Sequence, residues 1–121
     1  MKNQSEEFVT VLAFIESDNN VKAFGDFDAN GKYLALGRWQ MHPAWIWTYG
    51  RDIIPKVDDS WDTWMKKILI SFHDRYFGRR VTTYVELAMW FHLGHKSSPD
   101  DNDWDTDYAN RFTDTWNATH A

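Results

Sequence analysis

Residues 14–45 read FIESDNNVKAFGDFDANGKYLALGRWQMHPAW, and the fold turns on the residues that come after Phe14 and Ile15. Glu16 ends an otherwise apolar helical face, where a carboxylate without a partner costs several kcal/mol to take out of water. A Gly- and Asp-rich segment comes next, then Gly37-Arg38-Trp39-Gln40, then His42-Pro43. Asn30-Gly31 is the strongest short-range hairpin signal, because both residues tolerate the positive φ of a type I′ turn. A short β-hairpin is therefore expected, from about Ala23 to Phe27 against Lys32 to Leu36. Glu16 then stands where a helix leaves for a hairpin, and junctions of that kind are where clefts form.

Outward from this stretch the pattern is helical. The first helix is expected from near Ser5, with Glu6 and Glu7 in its first turn where the helix dipole favours acids. Phe8, Leu12 and Ile15 share one face, widened by Val9, Val11 and Ala13. Pro43 opens a second helix that Gly50 stops. Asp59 or Ser60 caps a third, with Trp61, Trp64, Met65, Ile68, Leu69, Phe72 and Tyr76 as its buried stripe and Gly78 at its end. A fourth, from about Thr82 to Leu93, is apolar nearly all round and so central to the core. After a polar loop, a fifth runs from about Asp105 to Asn117. The expected fold class is α+β, mainly α: one domain over residues 1–121, with a small β-hairpin after the first helix and a cleft between the two parts.

Composition narrows the function. At 121 residues the chain can bury a core without metals or disulfides, and it has no cysteine. Apolar runs such as ILI and LAMWF fall far short of the roughly 20 residues of a membrane helix, so no membrane insertion is expected. A net charge of −5 argues against nucleic acid or an anionic membrane as partner. MKNQSEEF lacks the pattern of a secretory signal. The eight Trp, eight Phe and five Tyr suit either a core filled with bulky residues or a sugar-binding cleft lined by ring faces.

Glycosidic hydrolysis needs an acid to protonate the leaving oxygen and a means to stabilise an oxocarbenium-like transition state. The acid must hold its proton near neutral pH, which an apolar setting favours. Glu16 beside Phe14 and Ile15 suits that role. A second carboxylate belongs across the cleft, and Asp26 and Asp28 alternate along one strand, hence on one face of the hairpin. Asp26 lies nearer the cleft end.

Glu16-Ser17, a glycine-containing turn and then ALGRWQMHP resemble the lysozyme-like superfamily, especially goose-type lysozymes and soluble lytic transglycosylase domains. Their shared pattern is Glu-Ser at a helix end followed by A-x-G-x-x-Q and a helix near a proline; Ala35, Gly37, Gln40 and Pro43 supply it here. MWFHLG is similar to the family's A-A-Y-N-x-G, and DYANRF to its terminal Y-V-x-x-V helix. The resemblance implies a lysozyme-like fold and Glu16 as general acid/base on peptidoglycan, cleaving the β-1,4 bond between N-acetylmuramic acid and N-acetylglucosamine. It implies Gln40 beside the glutamate, Phe91 and His92 where the family has Tyr-Asn, Tyr108 contacting the glutamate, and Ser17 supporting the backbone or the substrate. Tyr33 and Trp39 complete the expected substrate-binding set. His92 for Asn, and Trp39 before the glutamine, depart from the pattern. Lytic transglycosylases use no second carboxylate; inverting lysozymes use a hairpin aspartate across roughly 6.5–9.5 Å.

Other readings stay open beside this one. A chitosanase-like glycoside hydrolase fits the acidic surface, and a catalytically inactive glycan-binding or virion module fits the His92 departure. DFDANG matches half an EF-hand loop, but Gly37 stands where the bidentate glutamate belongs. His92 and His95 have a spacing that metal sites sometimes use, without a third ligand; no metal or cofactor is expected. Asp100, Asp101, Asp103, Asp105 and Asp107 read as a solvated loop and helix N-terminal charge. The expected place of action is the cell wall, reached in the periplasm, outside the cell or by phage delivery, and the expected state is a monomer.

Overall fold

The computed structural model describes residues 4–27 and 33–120; the side chains at 26, 27, 33 and 34 lie outside the described set. Among the described residues the elements are, in chain order, α1 (Gln4–Ser17), β1 (Phe24–Phe27), β2 (Tyr33–Leu36), α2 (Pro43–Gly50), α3 (Trp61–Tyr76), α4 (Tyr84–Leu93) and α5 (Thr106–Thr119). The molecule is mainly α with one small antiparallel sheet, as the sequence pattern indicates. β1 and β2 pair with Phe24 opposite Leu36, Gly25 opposite Ala35 and Phe27 opposite Tyr33. The expected Asn30-Gly31 turn lies outside the described residues.

α1 forms because its apolar positions recur at helical spacing. Phe8, Val9, Val11, Leu12, Ala13 and Ile15 are all buried, packed against α3 and α5. The helix ends where Asp18 and Asn19 take φ of 57° and 62°, a left-handed geometry that Asn and Asp reach most cheaply among residues other than glycine. Their amides donate to Phe14 O at 3.0 Å and Ala13 O at 2.9 Å, and the Arg111 guanidinium of α5 donates to Ile15 O. The carbonyls of Ala13, Phe14 and Ile15 near the helix end are thus satisfied by protein.

α3 is capped by Ser60, whose hydroxyl accepts from Thr63 N at 3.1 Å, and buries Met65, Ile68, Leu69, Phe72 and His73. Trp61 departs from the expected stripe: it is 41% exposed and packs edge-on against Trp64, with centroids 5.7 Å apart, while Trp64 packs on the core. α4 starts at Tyr84 with Thr83 as its cap, and five successive residues, Leu87 to Phe91, are buried. This helix is central, as its all-round apolar pattern indicates. It stops at Gly94, whose φ of 85° is the left-handed C-terminal geometry glycine supplies. Asp105 caps α5 by accepting from Tyr108 N at 3.0 Å. α5 packs on α1 and α4, and α3 carries α2, so the C-terminal ends of α1 and α4 open on the same side as α2.

Candidate functional site

Between these three elements lies a cleft of about 460 Å³, lined by Glu16 of α1, by residues 40–42, 44, 45, 48 and 49 along the approach to α2 and α2 itself, and by residues 91–94 at the end of α4. Four of the ten residues singled out from the sequence line it: Glu16, Gln40, Phe91 and His92. Tyr108 reaches it from behind. Its hydroxyl donates to Glu16 Oε2 at 2.8 Å, across 92 residues of sequence. Burial first, then the adjacent Glu16 carboxyl, push that hydroxyl well above the usual phenol range, so it remains a neutral donor.

A second layer fixes the tyrosine. The His92 ring stacks on Tyr108 with centroids 3.9 Å apart and planes at 8°. His92 Nε2 meets Asp105 Oδ2 at 2.9 Å, while the other oxygen of Asp105 caps the Tyr108 amide. That backbone N–H, followed by the bond to His92, holds the Asp105 carboxyl below its ordinary range. Asp105, His92, Tyr108 and Glu16 therefore form one connected group drawn from α1, α4 and α5.

Gln40 sits at φ 51°, with Nε2 donating to Gly37 O at 2.8 Å. A Cβ on Gly25 would stand 2.8 Å from Gln40 Oε1, so the amide packs directly on the β1 backbone and a side chain at position 25 would displace it. Ser17 is occupied by backbone: its hydroxyl donates to Arg38 O at 2.6 Å and accepts from Asn20 N at 3.0 Å. It ties the end of α1 to the turn after β2. Of the two roles expected for it, the structure gives the backbone one.

Trp39, a substrate-binding candidate in the sequence, does not line the cleft: it is 3% exposed in the core and its indole donates to Val9 O at 2.8 Å. The turn at residues 37–40 directs position 39 inward and position 40 toward the cleft. The apolar flank of Glu16 also differs from expectation. Phe14 is 41% exposed and faces a separate groove with Asp18 and Arg111, since successive helix positions point about 100° apart. The buried apolar groups that share the cleft with Glu16 are Met41, Trp45 and Phe91. Asp28, and the side chains of Asp26 and Tyr33, lie outside the described residues.

The wall formed by His42 and by Ala44, Trp45, Thr48 and Tyr49 of α2 is not among the sequence candidates. Ala44 and Thr48, four apart in a helix otherwise crowded with aromatics, are the signal that could have marked an open face. Tyr49 holds the far wall in place by donating to Gly94 O at 2.6 Å and accepting from Trp90 Nε1 at 2.8 Å. His92 and His95 do not converge: His95 Nε2 pairs with Asp103 at 3.0 Å. Among the described residues no group of three or more His, Cys, Asp or Glu is placed to hold a metal ion, and no helix is long and apolar enough to cross a membrane. Comparison with known proteins adds no relative, for no family model, no curated protein and no solved structure matches this chain.

Proposed function

We propose that this chain cleaves the β-1,4 bond between N-acetylmuramic acid and N-acetylglucosamine in peptidoglycan, as a lysozyme-like muramidase or lytic transglycosylase, with Glu16 as general acid and then base. The observation that carries the reading is Glu16 in the lining of a cleft of about 460 Å³ with its carboxyl held by the Tyr108 hydroxyl at 2.8 Å. That volume falls within the usual size of a small-molecule site. A protonated carboxyl can accept from Tyr108 on one oxygen while its own proton sits on the other, which fixes the direction of proton delivery to the leaving oxygen. Met41, Trp45 and Phe91 give the acid an apolar setting, and Gln40 and His92 add polar side chains to the same lining. The order of helix, hairpin and further helices supports a lysozyme-like arrangement.

The test is digestion of purified peptidoglycan by the parent protein and Glu16→Gln, with fragments resolved by mass. Reducing ends identify a hydrolase, and anhydro-muramyl ends a transglycosylase in which the sugar's own hydroxyl attacks. Glu16→Gln should lower the rate at least about 100-fold; full activity in that variant refutes the mechanism. Cleavage of chitosan but not peptidoglycan would assign the site to a chitosanase-like enzyme, and binding without cleavage of either to a non-catalytic module.

A further inference from the structure

The cleft wall continues outward along α2. Ala44 and Thr48 line the cleft with Glu16, and helix residues three or four apart are surface neighbours. Trp47 and Arg51 extend that same strip, three positions beyond Ala44 and Thr48 respectively, with Arg51 still in helical geometry at φ −64°. Positions 43, 44, 47, 48 and 51 are all exposed or nearly so, whereas 45 and 50 are buried, so the strip is one open face. Trp47 is 66% exposed, although Trp45 of the same helix packs into the core. The Arg51 guanidinium lies over the Trp47 ring, 5.3 Å from its centroid. Among the described residues Arg51 makes no ion pair, as is also true of Arg79 and Arg80, while Arg38, Arg75, Lys66 and Lys67 each have an acidic partner; Arg51 differs from the other two in standing over an exposed indole beside the cleft.

We propose that this face carries a second sugar-binding position, in which Trp47 stacks on a pyranose ring of a glycan leaving the Glu16 cleft and Arg51 pairs with the lactyl carboxylate of an N-acetylmuramic acid whose stem peptide has been removed. The inference rests on the glycan reading of the cleft and adds a substrate preference to it. A flat, wet indole face suits the apolar face of a sugar, and the guanidinium pre-positions the ring by a cation–π contact. In a chain of net charge −5, an arginine with no acidic partner among the described residues, set beside the stacking ring, favours a carboxylated chain over neutral chitin or cationic chitosan. Along the helix axis Trp47 lies between Ala44 and Thr48, and it is turned about 60° from Ala44 on the side away from Trp45 and Tyr49, which sets it beside the catalytic cleft on a continuous face.

Calorimetric titration of the Glu16→Gln protein, which binds without consuming its ligand, tests this. The probes are peptide-free oligomers of alternating N-acetylglucosamine and N-acetylmuramic acid, the matching disaccharide, and chitooligosaccharides of equal length. Adding Trp47→Ala should weaken the long acid-bearing oligomers about three- to tenfold and leave the disaccharide unchanged, and Trp47→Phe should restore most of the loss. Adding Arg51→Gln should erase the preference for acid-bearing over neutral oligomers and its dependence on salt. Circular dichroism checks that these exposed substitutions leave the fold intact. Unchanged binding of long oligomers in both variants, or an equal loss for disaccharide and long oligomers, overturns the second position. If the parent still cleaves peptidoglycan in that case, only this inference falls; if no glycan is bound or cleaved, the functional reading falls with it.

Discussion

Replacing Trp39 by Phe separates a core role from a cleft role for that residue. The indole is 3% exposed and donates to Val9 O at 2.8 Å, binding the turn after β2 to the middle of α1. Phenylalanine keeps an aromatic ring but loses the N–H and leaves a void where the larger ring system was. The lost hydrogen bond costs roughly 1 kcal/mol net, and the incompletely collapsed void adds about 1–2 kcal/mol. A total of about 2–3 kcal/mol in a domain of this length lowers Tm by roughly 10 °C. Urea unfolding followed by far-ultraviolet circular dichroism measures the change, with an unaltered slope showing that the native state stays compact. Glycan binding measured well below the variant's midpoint should match the parent's. An unchanged midpoint together with lost glycan binding would refute the core assignment and return Trp39 to the cleft.

Packing and titration give two further outcomes. A Cβ on Gly50 would stand 2.6–2.8 Å from three atoms of Ile68, which is fully buried, so Gly50→Ala should destabilise by about 1–2 kcal/mol through overpacking despite alanine's better helix propensity; a stabilised variant in urea refutes the close α2–α3 contact. The Asp105 carboxyl is held below its ordinary 3.8 by the Tyr108 amide and then by His92. A depressed folded-state value means that its stabilising contribution is complete well above pH 3.8 and lost as the pH falls through the depressed value. Asp105→Asn should therefore flatten the acid limb of the stability profile between about pH 5 and 2, and an unaltered limb argues against that network.

Local signals alone were enough for the elements themselves. Ser60, Gly94 and Asp105 mark helix ends by chemistry that acts within a few residues, and Phe8, Leu12 and Ile15, or Met65, Ile68, Leu69 and Phe72, repeat at a period only a buried helical face explains. Glu16 was legible as a candidate because its position at a helix end before a hairpin is itself a local pattern. Tertiary structure decided what surrounds it. Tyr108 meets Glu16 across 92 residues, and His92 meets Asp105 across 13, through packing of α1, α4 and α5 that no periodicity encodes. The same packing turned Trp39 inward to Val9, left Trp47 largely and Trp61 partly exposed, and sent Phe14 away from the cleft. A tryptophan carries equal hydrophobic weight in the core and on a sugar-binding wall. Its sequence position fixes which way the local backbone points it, and only the neighbouring elements determine whether protein or solvent lies there.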